Sequence, residues 1–207
     1  EDPDAFTLAF ALADRIGADA ILATDPDSDR LGVAVRKKDG AFDVLSGNQI
    51  GSLLIHYLLS ARKENGTLPK DGLVVKSLVS TRMADAICAR FGVACREVPT
   101  GFRFISEIID DCERTHAKTF LFGFEESYGF LAGSFSRDKD AICAAMLVAE
   151  ACVYYRQKGM TLYDVLQEMY RMYGYYKESV KSYTLAGKEG IERIRGAMAA
   201  LRADSPK

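Results

Sequence analysis

Apolar positions along the chain follow two periods, and the period changes at nearly every cluster of turn residues. Phe6, Leu8, Leu12 and Ile16 fall at helical spacing, so Asp4 to Arg15 is predicted as a helix, with Asp2 or Asp4 as its cap and Pro3 at the entry. The apolar run Ala18 to Thr24 predicts a short buried strand. Leu31 to Arg36 predicts a second strand, which Lys38-Asp39-Gly40 turns back into Phe42 to Leu45 as a hairpin. Ser46-Gly47-Asn48 breaks that pattern, and Gln49 to Arg62 follows as a long helix with an apolar face. After a loop over Asn65 to Gly72, strands at Leu73 to Val79, Ala94 to Val98 and Thr119 to Phe124 alternate with helices at Arg82 to Phe91, Phe104 to Arg114 and Asp138 to Lys158. A helix over Thr161 to Tyr173, capped by Thr161, leads into a tyrosine-rich stretch. A strand at Ser182 to Leu185 and a charged helix at Lys188 to Arg202 end the chain.

The repeated strand–helix order argues for an α/β fold, with a layered α/β/α domain built on a mixed, largely parallel sheet. Breaks are expected near residues 46 and 172, giving segments 1–45, 46–172 and 173–207. The composition, 48% hydrophobic and 27% charged over 207 residues, fits a globular chain of one generous domain or one domain with pieces of others. The net charge of −2 offers no footprint for nucleic acid. No apolar run approaches the roughly 20 residues that span a bilayer, and no signal peptide opens the chain, so a cytoplasmic protein without a membrane partner is expected. Five cysteines (88, 95, 112, 143, 152) lack C-x-x-C spacing and read as reduced residues of an intracellular protein. With only His56 and His116 present, a histidine-centred mechanism is disfavoured, and His56 reads as part of a helix face. The chain opens at Glu1 without methionine and closes just after a helix; both ends read as cut points in a longer protein.

Asp25-Pro26-Asp27-Ser28-Asp29-Arg30 places carboxylates at alternate positions directly after an apolar run. Like charges this close repel, and an all-oxygen ligand set calls for a hard cation, magnesium before calcium. An EF-hand loop needs glycine at its sixth position and glutamate at its twelfth; Arg30 and Arg36 stand there instead. The P-loop and G-x-G-x-x-G are absent, whereas an Asp-x-Asp loop of a nucleotide-sugar transferase stays open on these residues alone. In a parallel sheet the loops leaving strand C-termini share one edge. Here they carry Ser80-Thr81-Arg82, Pro99-Thr100-Gly101-Phe102-Arg103 and Glu125-Glu126-Ser127-Tyr128-Gly129, and Arg137-Asp138-Lys139-Asp140 opens a later helix. Carboxylates and a hydroxyl suit vicinal sugar hydroxyls; arginine, lysine and free amides at a helix start suit phosphate. That mixture points to a sugar phosphate.

These residues resemble a known family, the α-D-phosphohexomutases, which comprise phosphoglucomutases and phosphomannomutases. Ala23 to Ala34 is similar to the family's metal-binding loop, and Pro99 to Ile105 to its Thr-Gly-Phe-Lys segment. Phe124 to Gly129 resembles the Gly-Glu-Glu-Ser sugar-recognition loop, and Arg137 to Asp140 the Lys-Asp helix start. Asp-Pro-Asp with Glu-Glu-Ser is nearest the phosphoglucomutase and phosphopentomutase branch. The resemblance implies four domains around a cleft. Residues 1–45 would be the back half of the second, 46–172 the whole third, and 173–207 a linker and the opening of the fourth, so the third is flanked by partial domains. It also implies an isomerase of carbohydrate metabolism, an intramolecular phosphotransferase working through a phosphoserine and a sugar bisphosphate. Asp25, Asp27 and Asp29 would hold Mg²⁺, with Arg30 beside the transferring group. Thr100, Gly101, Arg103, Glu125 and Ser127 would bind the sugar phosphate. Lys139 would contact phosphate or move a proton. Glucose 1-phosphate, glucose 6-phosphate and glucose 1,6-bisphosphate are the implied partners. Phosphomannomutase, phosphopentomutase and a non-catalytic sugar-phosphate module are the alternatives. Two departures are visible: neither the family's phosphoserine loop nor its Arg-x-Ser-Gly-Thr phosphate loop occurs in these residues, so the chain by itself is expected to be inactive. Arg103 also stands where many relatives have lysine, which keeps a phosphate contact and disfavours a base.

Overall fold

A 3₁₀ turn over Pro3–Phe6 runs directly into α1 (Thr7–Ile16), which Gly17 ends in the left-handed region (φ 68°). The computed structural model describes residues 3–179 and 183–204. The expected cap at Asp4 is not formed: the residue before α1 is Phe6, which makes no side-chain cap, and Asp4 lies inside the 3₁₀ turn. Asp2, the other candidate, lies outside the described residues. β1 (Ala20–Thr24) pairs antiparallel with β2 (Leu31–Arg36), and β2 with β3 (Phe42–Leu45). The turn at Gly40 (φ 88°) closes the expected β2–β3 hairpin, with the Lys37 amide donating to the Ala41 carbonyl. β1 is not the buried strand that its apolar run predicts. It lies at the edge of the sheet, with Leu22, Ala23 and Thr24 exposed, while the central β2 takes the buried place.

α2 (Gly47–Glu64) begins two residues earlier than its apolar face suggests, because Ser46 and Gln49 form a reciprocal capping box. β4 (Gly72–Ser77), α3 (Met83–Phe91), β5 (Ala94–Val98), α4 (Phe102–Thr115) and β6 (Thr119–Phe124) then alternate as expected. β4 stops at Ser77, and Leu78 and Val79, predicted to continue it, are exposed in a turn. An additional strand, β7 (Phe130–Ala132), doubles back antiparallel to β6. The sheet order is β5-β4-β6-β7, with β4 parallel to both β5 and β6.

Helices cover both faces of this sheet, which is why β4 and β6 read as continuous apolar runs. Val74, Phe122 and Phe124 face a large core containing α2, α3, α5 (Ala141–Gln157) and α6 (Leu162–Tyr173). Leu73, Val75 and Phe120 face a smaller core with Ile105 and Ile109 of α4. Leu31, Val33, Val35 and Leu45 of the antiparallel sheet join the large core, so both sheets lie in one unit spanning 1–176. A second unit, 177–207, contains α7 (Gly187–Ala203). The strand expected at Ser182 to Leu185 is not seen: Ser182 lies outside the described residues, and Tyr183 to Leu185 are not extended into a sheet.

Candidate functional site

The β1–β2 turn folds around Asp25. Its Oδ1 accepts the backbone N–H groups of Asp29 and Arg30, each at 3.1 Å, and Ser28 takes a left-handed conformation (φ 58°) to make the reversal. Asp25, Asp27 and Asp29 each present an oxygen within 4.8 Å of the others. An octahedral Mg²⁺ shell at ~2.1 Å spans about 4.2 Å across, so small side-chain rotations bring this set to ligand spacing. The residues therefore fit the ion that their pattern predicts. Partial burial pushes the Asp25 carboxyl up, but hydrogen bonds from the Arg30 and Asp29 amides help hold it below its ordinary value.

Past β6, Glu125 is 5% exposed, and its Oε1 accepts the Gly101 N–H at 2.7 Å. The carboxylate thereby occupies the N-terminus of α4, where the helix dipole favours an anion. Gly101 has φ 123°, a conformation that a side chain would strain. The Glu125 N–H donates to the Gly129 carbonyl at 2.9 Å, closing the loop that carries Glu126, Ser127 and Tyr128.

Backbone bonds join these two loops: Arg30 bridges Gly129 antiparallel, and the Leu31 N–H donates to the Tyr128 carbonyl at 3.1 Å. The Ala141 N–H at the start of α5 donates to the Ser28 carbonyl at 3.0 Å, which ties the acidic loop to that helix as well. Lys139 crosses between them. Its ammonium is 3.0 Å from both Asp29 and Asp138 and 5.5 Å from the centre of the Phe102 ring. Burial pulls that ammonium's pKa down, and the Asp138 and Asp29 carboxylates more than reverse it, holding it above the usual lysine value. Gly129 makes room: a Cβ there would lie 2.1 Å from the Lys139 Cδ.

The structure thus brings Asp25, Asp27, Asp29, Arg30, Glu125, Gly101 and Lys139 to one edge. Ser127 is half-buried in the same loop, and Thr100 is exposed beside Gly101. Arg103 points its guanidinium over its neighbour Phe104, 4.5 Å from the ring centre, where it remains exposed. Arg137 turns away to Asp110 and Glu113 of α4, so it braces the loop before α5. Two further residues reach the site from below. Glu126 turns its carboxylate inward onto Ser77 at 2.7 Å, and Lys76 is fully buried beside Glu97 at 2.9 Å. A lysine inside the apolar run Leu73 to Val79 was the available signal for Lys76; nothing in the letters distinguishes the direction of Glu126 from that of Glu125.

Residues 46–173 match the family described as phosphoglucomutase/phosphomannomutase, alpha/beta/alpha domain III. The whole chain is 37% identical over 206 residues to a phosphoglucomutase of Staphylococcus haemolyticus, and 36% identical over 207 residues to one of Staphylococcus aureus. It spans 36% of the length of either relative. A solved structure of a putative phosphomannomutase from Thermus thermophilus superposes with a TM-score of 0.65 at 24% identity, covering 84% of this chain and 35% of that one. An Aspergillus fumigatus N-acetylphosphoglucosamine mutase, in complex with GlcNAc-6P and magnesium, superposes at 0.53 and 17%, covering 75% of this chain and 33% of that one. Both likenesses describe the fold.

Proposed function

The chain belongs to the phosphoglucomutase/phosphomannomutase family, and from that premise we propose that it is the metal-loop and sugar-recognition portion of a Mg²⁺-dependent phosphoglucomutase-like enzyme. Such an enzyme moves a phosphoryl group between the 1- and 6-positions of a hexose phosphate through a phosphoserine carried elsewhere in the protein. On this reading residues 1–45 complete one domain, 46–172 are the sugar-recognition domain, and 173–207 lead into the next. The protein acts in the cytoplasm.

The observation that carries the reading is the backbone coupling of the three-aspartate loop to the loop bearing Glu125 and Ser127. One loop is chemically suited to a hard cation and the other to sugar hydroxyls, and a phosphoryl transfer on a sugar needs both within one cleft. Asp25, Asp27 and Asp29 would hold Mg²⁺, whose contribution is to neutralise charge on the transferring group. Arg30, exposed beside Asp29, is placed to meet a phosphoryl oxygen. Glu125 and Ser127 accept and donate to sugar hydroxyls. Thr100 and Gly101 line the same edge, and Arg103 offers a cation to the non-reacting phosphate. Lys139, held protonated between carboxylates, can donate a proton or a charge-assisted hydrogen bond on the substrate side.

The test is an assay of the full-length protein with Mg²⁺ and glucose 1,6-bisphosphate as primer. Conversion of glucose 1-phosphate to glucose 6-phosphate is expected, and Asp27→Ala should lower it more than about a hundredfold. No activity on any hexose or pentose phosphate overturns the proposal. Micromolar sugar-phosphate binding by such an inactive protein would make it a binding module instead.

A further inference from the structure

Beneath the sugar-recognition loop lies a continuous polar network, buried at Lys76, Ser77 and Ser80, that the proposed chemistry does not use. Lys76 of β4 is 0% exposed. Its ammonium lies 2.9 Å from Glu97 Oε1, 3.4 Å from the Ser80 carbonyl and 3.4 Å from Asp85 Oδ2. Three acceptors thus face its three N–H donors, although Asp85 Oδ2 makes an ion pair there without a hydrogen bond. The Lys76 ammonium, followed by Arg82, holds the Glu97 carboxyl below its ordinary value. Ser80 sends its hydroxyl the other way, 2.7 Å from Ser77 Oγ, and Ser77 Oγ is 2.7 Å from Glu126 Oε2. With one proton per hydroxyl, Ser80 donates to Ser77 and Ser77 donates to Glu126. The network therefore touches the ends of all three parallel strands: Ser77 and Ser80 at β4, Glu97 on β5 and Glu126 after β6.

A buried ammonium is costly unless partnered, and Lys76 meets that cost with two hydrogen bonds and the Asp85 ion pair. These groups hold one another in a single arrangement. Glu126 sits between Glu125 and Ser127, the two residues proposed to read the sugar. Its carbonyl is pressed onto Gly47 from below, where a Cβ would lie 2.1 Å away. Displacing Glu126 displaces both readers together.

We propose that Glu126 is a positioning residue for the sugar-recognition loop, and that Lys76 is the buried cation that fixes the Ser77–Ser80 turn to which Glu126 is tied. The proposal rests on the function proposed above and adds two residues that touch no substrate.

The experiment compares Glu126→Leu, Glu126→Gln, Lys76→Met and wild type in two settings. In the full-length enzyme, Glu126→Leu and Lys76→Met should raise KM for the sugar phosphate about tenfold while kcat changes less than about threefold. Glu126→Gln keeps an oxygen for the Ser77 hydroxyl and should restore KM to within about threefold of wild type. Hydrogen–deuterium exchange on the 207-residue chain is the second setting. The Glu125 and Gly101 amides, bonded to Gly129 and to Glu125 Oε1, should exchange faster in Glu126→Leu than in wild type. Ser77→Ala, which removes the Ser77 bonds to Ser80 and Glu126 and leaves the longer Ser80–Glu126 contact at 3.4 Å, serves in place of any variant that does not fold. Unchanged KM and unchanged exchange in a folded variant overturn the proposal, as does a fall in kcat at constant KM. An inactive wild-type enzyme overturns the proposed function alone, and the exchange comparison then decides the network by itself.

Discussion

His56 shows how burial settles a residue's role. It lies half-buried among Phe91, Tyr155 and Tyr173, with Nδ1 3.1 Å from the Tyr173 hydroxyl. Burial, followed by the charges of Arg90 and Lys158, lowers its pKa to about 4. In the unfolded chain the ring titrates near 6.5. Below that value the unfolded state binds a proton that the folded state refuses, so this contribution is complete above pH 6.5 and is lost as pH falls toward 4. The loss reaches up to about 3 kcal/mol. Urea titrations at pH 7.5 and 5 should show the difference in wild type and a smaller one in His56→Gln; equal pH-dependent stability differences in the two proteins would remove His56 from the account. Gly47 makes the opposite kind of prediction. Its missing Cβ leaves space for the Glu126 carbonyl, which is backbone and cannot rotate aside, so Gly47→Ala should cost about 1–3 kcal/mol by denaturant unfolding. Asp25, Asp27, Asp29, Glu125 and Lys139 stand out in the sequence as candidates because their residue types state their chemistry. Gly47, Lys76 and Glu126 do not, because what they touch is set by the segment on the other side of the backbone.

Elements were legible where local physics decides them and illegible where pairing does. Thr161 was readable as a cap, and its hydroxyl does accept the Asp164 N–H at 3.1 Å while Asp164 reaches back to the Thr161 N–H. Thr161→Ala should therefore destabilise the first unit by about 1 kcal/mol, with Thr161→Ser close to wild type in thermal unfolding. A loss matched by Thr161→Ser would point to the methyl group rather than the cap. β2, β3, β5 and β6 appear where their apolar runs place them. β7 has no signature in the sequence because three residues carry no period, and only antiparallel pairing with Phe122 to Phe124 makes them a strand. The apolar residues of β1 predict burial; edge position is a property of the sheet, and no local pattern encodes it. β4 was read too long for a related reason: Leu78 and Val79 are strand formers by type, yet the Ser80 N–H turns back to the Ser77 carbonyl at 3.0 Å and ends the ladder.

At the scale of the whole first unit, the candidate site joins two sheets that share one hydrophobic core. The acidic loop belongs to the antiparallel sheet and Glu125 follows the parallel one; the Leu31–Tyr128 bond and the Arg30–Gly129 bridge cross between them, and the Ala141–Ser28 bond ties the acidic loop to the start of α5. A cation bound by Asp25, Asp27 and Asp29 would stiffen a loop whose backbone is already part of those crossings. Its effect should therefore travel. With saturating Mg²⁺, hydrogen exchange should slow at the amides of Asp29 and Arg30, which bond to Asp25, and also at Leu31 and Ala141, which bond to the sugar loop and to Ser28. Asp27→Asn, which keeps the loop's shape and removes one ligand charge, should abolish both effects together. Lys139 adds a sign to the same prediction. Its ammonium already partners Asp29 at 3.0 Å, so a divalent ion competes for that carboxylate, and Lys139→Met should tighten Mg²⁺ binding in calorimetry. Protection confined to residues 25–30, with Leu31 and Ala141 unmoved, would mean that the acidic loop is a neighbour of the sugar loop and of α5 without being coupled to either.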